Sequence, residues 1–171
     1  MAEKHWNYVR NVIHCHLINK AIIAKAGMEI RETEKGILIV KQNALSIEVA
    51  DNYQDIADVI IEYNHYLLRG NITRKKEILK AIADSLEPKR KELEDINKSI
   101  SDDFFFLVNN MNIRHNNCDC NDLSKYNPKF DSLIESEKEK IYDITYSEGL
   151  TLYALLEHQN RIPIIANMKH G

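Results

Sequence analysis

The sequence predicts a mainly α-helical protein: a bundle of about five helices with a small antiparallel β-meander after the first helix. Two observations carry this. Apolar residues recur at steps of three and four over most of the chain, the spacing of one helical face. Only between residues 28 and 50 does the pattern change to short β-branched runs. At 171 residues the chain suits one domain, residues 1–171, large enough to bury a core. Its 44% hydrophobic and 29% charged residues exclude a disordered or membrane-embedded class.

Residues 3 to 26 read as the first helix, with Trp6, Val9, Ile13, Leu17, Ala21 and Ala24 on one face and Gly27 as a left-handed stop. "MEIRET", "GILIVK" and "LSIEVA" then read as the three strands of the meander. Asp51 with Gln54 forms a capping box that opens the next helix, and Gly70 closes it. A short helix from Thr73 to Leu86 buries Ile78, Leu79, Ile82 and Leu86. Pro88 interrupts it, having no N–H to donate. Next comes the strongest pattern in the chain: Leu93, Ile96, Ile100, Phe104, Leu107 and Met111 form a coiled-coil-like stripe along about 40 Å of helix. Extended by three or four residues, it brings Arg114 and His115 onto the buried side. A loop over residues 116–135 leads to the last helix, capped by Ser136 with Glu139, run to Ile162 before Pro163 and expected to be the most buried element.

The net charge of -3 gives no overall attraction to nucleic acid, but residues 74–91 hold seven basic residues against three acidic ones. Arg74, Lys75, Lys76, Lys89, Arg90 and Lys91 therefore form a candidate phosphate-binding corner, with a solvated, ion-paired helix junction as the alternative. The N-terminus lacks the apolar core of a secretion signal, and three cysteines are an odd number. Both features favour the cytoplasm. No apolar run is long enough to span a bilayer, so no membrane association is expected.

The stretch "NNMNIRHNNCDC", residues 109–120, concentrates the candidate chemistry. A guanidinium suits the charge on phosphoryl oxygens, and an adjacent imidazole can move a proton near neutral pH. Arg114 and His115 are the candidate catalytic pair. Asn109, Asn110, Asn116 and Asn117 are neutral hydrogen-bonding neighbours. Glu148, on the inner line of the last helix beside Gly149, is the carboxylate expected to meet Arg114, either as a structural ion pair or as part of a site. His115, Cys118 and Cys120 do not have the paired spacing of a zinc site. His14 and His16, in a cluster with Cys15, diverge by about 200° around a helix and cannot share an ion. No metal is assigned. With only five glycines and no glycine-rich phosphate loop, no cofactor is expected either.

A long helix ending in "NNMNIRHNN", followed by a polar loop and a buried final helix, resembles the HEPN superfamily, in particular the domains of abortive-infection and toxin systems in phage defence. The resemblance covers residues 51–162. It implies a homodimeric, metal-independent endoribonuclease in which Arg114 stabilises the phosphate and His115 acts as acid or base. In that family the histidine stands four to six positions after the arginine, where this chain has Cys118, Asp119 and Cys120. The alternative is a non-catalytic interaction protein that dimerises through the stripe from Leu93 to Met111, with RNA or a protein as its partner.

Overall fold

A computed structural model describes residues 18–33, 36–41 and 43–170. Residues 18–25 are helical (α1). The rest of the expected first helix, with His14, Cys15 and His16, lies outside the described residues. Strands β1 (Met28–Thr33) and β2 (Gly36–Lys41) pair antiparallel in a single register from Met28 opposite Lys41 to Thr33 opposite Gly36. β2 also touches the body, where Val40 bridges to His65 and the Lys41 N–H donates to the Asn64 carbonyl at 2.8 Å.

The third strand of the expected meander is instead a helix, α2 (Ala44–Asn52). Asn43 is its N-cap, with Oδ1 accepting from the Ser46 N–H at 3.1 Å. Ser46, Val49 and Ala50 then fall on one buried face, so this short apolar run obeys the helical period as well as the alternating one. Asp51 consequently belongs to the last turn of α2 and opens nothing. Gln54 turns back to donate to the Ala50 and Asp51 carbonyls. α3 (Ala57–Tyr63) and a 3-10 turn (Tyr66–Leu68) complete the segment up to Gly70, at φ 78°.

α4 (Ile72–Leu86) is capped by Asn71 and buries Ile78, Leu79, Ile82, Ala83 and Leu86. Pro88 sits in a 3-10 turn that leads directly into α5 (Arg90–Asn110). α5 is bent at Asn97, whose backbone is extended (φ -152°, ψ 92°) while its Oδ1 accepts from the Ile100 N–H at 3.2 Å. Asn97 thus acts as an N-cap inside the helix, which restarts in a new phase. The continuous stripe does not survive the restart. Ser101, Phe104, Phe105 and Val108 are buried after the bend, whereas Ile96, Ile100, Leu107 and Met111 are half-buried. Leu93 and Phe104 belong to this chain's own core, and Ile96, Ile100 and Met111 pack against it.

After a loop and a short helix, α6 (Pro128–Asp131), α7 (Glu135–His170) crosses the body. Its cap is at Ile134, whose N–H donates to Glu137 at 3.2 Å, and not at Ser136. α7 is buried on one face up to Leu156, with Tyr142, Tyr146, Leu150, Leu152 and Tyr153 inward. It then runs past Pro163 because that stretch is exposed, where water can meet the carbonyl the proline leaves unbonded. Gly149 allows the closest approach: a Cβ there would stand 3.1 Å from both Ile82 Cγ2 and Phe104 Cε2. The expected close approach at this glycine is real, and it is made to α4 and α5. Among the described residues no helix is long and apolar enough to cross a membrane.

Candidate functional site

α5 ends four residues before Arg114. The Met111 N–H closes the last turn on the Leu107 carbonyl, Asn112 takes the left-handed conformation (φ 57°), and Ile113 turns into the core at 1% exposure. Arg114 therefore does not extend the α5 face. Its guanidinium crosses to the end of α4, where it pairs with Glu87, with Asp84 at 3.1 Å, and with the Ala83 carbonyl at 3.4 Å. The expected pairing with Glu148 is not made. Asp84 on α4 and Glu87 in the turn after it hold the arginine, while Glu148 lies half-buried on α7.

His115 takes a separate course and lines an open polar cleft with Asn109, Ser124, Lys125, Tyr126 and Lys129. The cleft is built by asparagine side chains that tie the loop together. Asn117, 2% exposed, accepts from the Asn112 N–H at 2.9 Å and donates to the Lys125 carbonyl at 2.6 Å. Asn127 caps α6 through the Phe130 N–H and donates to the Asn110 carbonyl at 2.9 Å. Asn110 itself donates to the Phe106 carbonyl. Asn110 and Asn117 are thus framework, and of the four predicted asparagines only Asn116 is exposed. Tyr126 donates to Asp131 at 3.1 Å, a bond that pushes its phenol up.

Four lining side chains remain. Asn109, His115, Lys125 and Lys129 have no hydrogen-bond or ion-pair partner among the described residues. Asp122 lies next to these cations: it accepts from Ser124 at 2.6 Å, and that bond, assisted by Lys125 and His115, holds it below the usual carboxylate range. Lys125 and Lys129 were missed by sequence reasoning, which names Asn109 only as one of several polar neighbours. Residues 116–135 have no periodicity to orient a side chain, and Asn109 stood among four similar asparagines.

The basic corner is largely neutralised. Arg74 grips Glu62 with two bonds of 2.6 and 2.9 Å and Glu77 with a third. Lys75, 5% exposed, lies between Asp143 at 2.6 Å and Glu139 at 2.8 Å, over the Tyr63 ring. Burial pushes the Lys76 ammonium down, and it donates to Asn112 Oδ1. Lys89 lies over Tyr53, and Arg90 over Phe105 with Glu94 at 2.9 Å. Lys91 is exposed beside Glu92 and Asp95. Arg74, Lys75 and Arg90 are thus held in ion pairs at helix junctions, as the alternative reading of this corner expected.

Cys118 is half-buried. Burial and a bond with Asp131 push its thiol up, away from the thiolate a metal would need, and Cys120 is exposed. Among the described residues no group of three or more His, Cys, Asp or Glu side chains is placed to hold a metal ion. The chain matches no family model, and no similar curated protein or solved structure was found.

Proposed function

We propose that this chain is a helical RNA-binding protein whose cleft at His115, Lys125 and Lys129 receives the phosphate of a single strand. The observation that carries this reading is the grouping of Asn109, His115, Lys125 and Lys129 around one open cleft, none in a hydrogen bond or ion pair among the described residues, with Asp122 as the nearby carboxylate. Asn109 and His115 are half-buried, where polar groups are normally paired within the fold, while Lys125 and Lys129 are exposed at the mouth. Cationic side chains left free around a concavity supply what a phosphate needs: positive charge and N–H donors. Cleavage by Arg114 and His115 has weaker support, since Arg114 must first leave Asp84 and Glu87.

The test is fluorescence anisotropy with a labelled single-stranded RNA at two salt concentrations. Binding that uses both lysines has a log-log salt slope of about -1.4. The Lys125→Ala/Lys129→Ala variant then binds about tenfold more weakly and shows a flatter slope. Unchanged affinity in that variant would remove the reading.

The alternative, an interaction protein, is favoured by a different observation. Ile162, Ile164, Ile165 and Met168 on the distal part of α7 are 42%, 57%, 40% and 77% exposed. Such a patch suits a protein partner. Sedimentation of the wild type and of Ile164→Glu/Met168→Glu examines it: identical monomer profiles refute self-association by this face.

A further inference from the structure

We propose that the free edge of β1 pairs antiparallel with the β1 of a second copy of this chain, joining two hairpins into one four-stranded sheet. The surface is separate from the His115 cleft. Among the described residues β1 is bonded along one edge only, to β2, and β2 in turn is fixed to the body by the Val40–His65 bridge and the Lys41–Asn64 bond. The Thr33–Gly36 pair closes a two-residue turn and is a bonded pair. Bonded and non-bonded pairs alternate along an antiparallel ladder, so Met28, Ile30 and Glu32 turn their N–H and C=O groups to the outer edge. Such an edge is a template for another strand, and β1 has neither a proline nor a bulge to blunt it.

The charges along β1 select its own copy as the occupant. A two-fold axis perpendicular to the sheet keeps each face of one hairpin level with the same face of the other. Registers that then pair more than a single residue of the six-residue strand are centred on residue 29, 30, 31 or 32. Centring on 29, 31 or 32 sets Glu29, Arg31 or Glu32 directly against its own copy, and like charges opposite one another destabilise a ladder. Centring on Ile30 instead sets Glu29 opposite the partner's Arg31, and Arg31 opposite the partner's Glu29. These two side chains already pair within the chain at 2.7 Å, so the dimer closes a square of four alternating charges. The same register gives every outward residue a bonded partner: Ile30 meets the partner's Ile30, and Met28 meets the partner's Glu32. Ile30 stands opposite Ile39 within the hairpin, so on the other face four isoleucines fall in one row across the dimer. Ile30 and Ile39 are half-buried in the single chain and Ile37 is 69% exposed, apolar surface that a second hairpin extends and covers.

The experiment is sedimentation of the full chain over a concentration series, with Glu29→Arg and Arg31→Glu run alone and mixed. The wild type is expected to self-associate. Each variant alone brings like charges opposite in the Ile30 register and should associate at least about tenfold more weakly. An equimolar mixture of the two restores opposite charges at both positions and should return the dimer, as should the double variant Glu29→Arg/Arg31→Glu by itself. That rescue also shows that the variants fold. Hydrogen exchange places the interface: the Ile30 amide, unbonded within one chain, should exchange more slowly as the concentration rises. A wild type that is monomeric throughout the series overturns the proposal. So does a dimer that both single variants leave intact, or a loss in the single variants that mixing does not restore. Loss of the dimer in Ile164→Glu/Met168→Glu with the Ile30 amide unprotected overturns it too, and assigns association to α7.

Discussion

Replacing Arg114 with alanine separates the structural role of this residue from a catalytic one. Two unit charges about 4 Å apart interact by about 4 kcal/mol at an effective dielectric constant near 20. The Asp84 and Glu87 side chains are 55% and 41% exposed, so water reduces each pair to about 0.5–1 kcal/mol. The arginine side chain is only 18% exposed, and it also donates to the Ala83 carbonyl. Arg114→Ala should therefore cost about 2 kcal/mol in total. For a chain of this size that is a fall in melting temperature of about 4–8 °C. Urea unfolding measures the free energy directly, and a double-mutant cycle with Glu87→Gln should return a coupling of about 1 kcal/mol. If Arg114→Ala leaves stability unchanged and instead abolishes RNA cleavage, the arginine acts on substrate and its assignment as a clamp is wrong.

Three further substitutions probe the frame. Gly149→Ala places a Cβ 3.1 Å from Ile82 and Phe104; the crowding outweighs the helix propensity gained, so urea unfolding should show a net loss of about 1 kcal/mol. Asn117→Ala leaves the Asn112 N–H and the Lys125 carbonyl without their partner and should cost about 2 kcal/mol, with faster hydrogen exchange at the Asn112 amide as the local readout. Glu139 accepts from the Gly70 N–H and from Lys75, both of which lower its pKa below the ordinary 4.5. A carboxylate depressed in the folded state contributes stability that is present above its unfolded pKa and lost as the pH falls through the folded one. The thermal midpoint should thus decline as the pH drops below about 4.5, and Glu139→Gln should be less stable at neutral pH with a shallower acid limb.

Long periodic segments were legible in the sequence, and local caps were not. α4 was read nearly to the residue because Ile78, Leu79, Ile82 and Leu86 repeat over several turns with a helix breaker at each end. α2 was misread as a strand because an apolar run of six residues fits both periods, and the deciding contact, Asn43 to the Ser46 N–H, is a single hydrogen bond. Asn97 likewise breaks the α5 stripe through one side-chain bond that spacing alone does not reveal. The site suffered most from this limit. Extending the stripe assumed that the helix continued past Asn110, whereas Asn112 turns the chain and directs Arg114 to α4 and His115 to the cleft. The basic run at residues 74–91 was read correctly as charge. Its ion pairs with Glu62, Glu139 and Asp143 come from elements distant in sequence, and only the fold brings them together.

The central claim is that RNA phosphate enters the cleft lined by His115, Lys125 and Lys129. The most direct measurement is NMR chemical-shift mapping of the protein titrated with single-stranded 5′-phosphorylated and 3′-phosphorylated RNAs. The largest perturbations are expected to cluster at Asn109, His115 and residues 124–129, with Lys91 unmoved. Perturbations centred on residues 74–91 or on the distal half of α7, with the cleft silent, would contradict it.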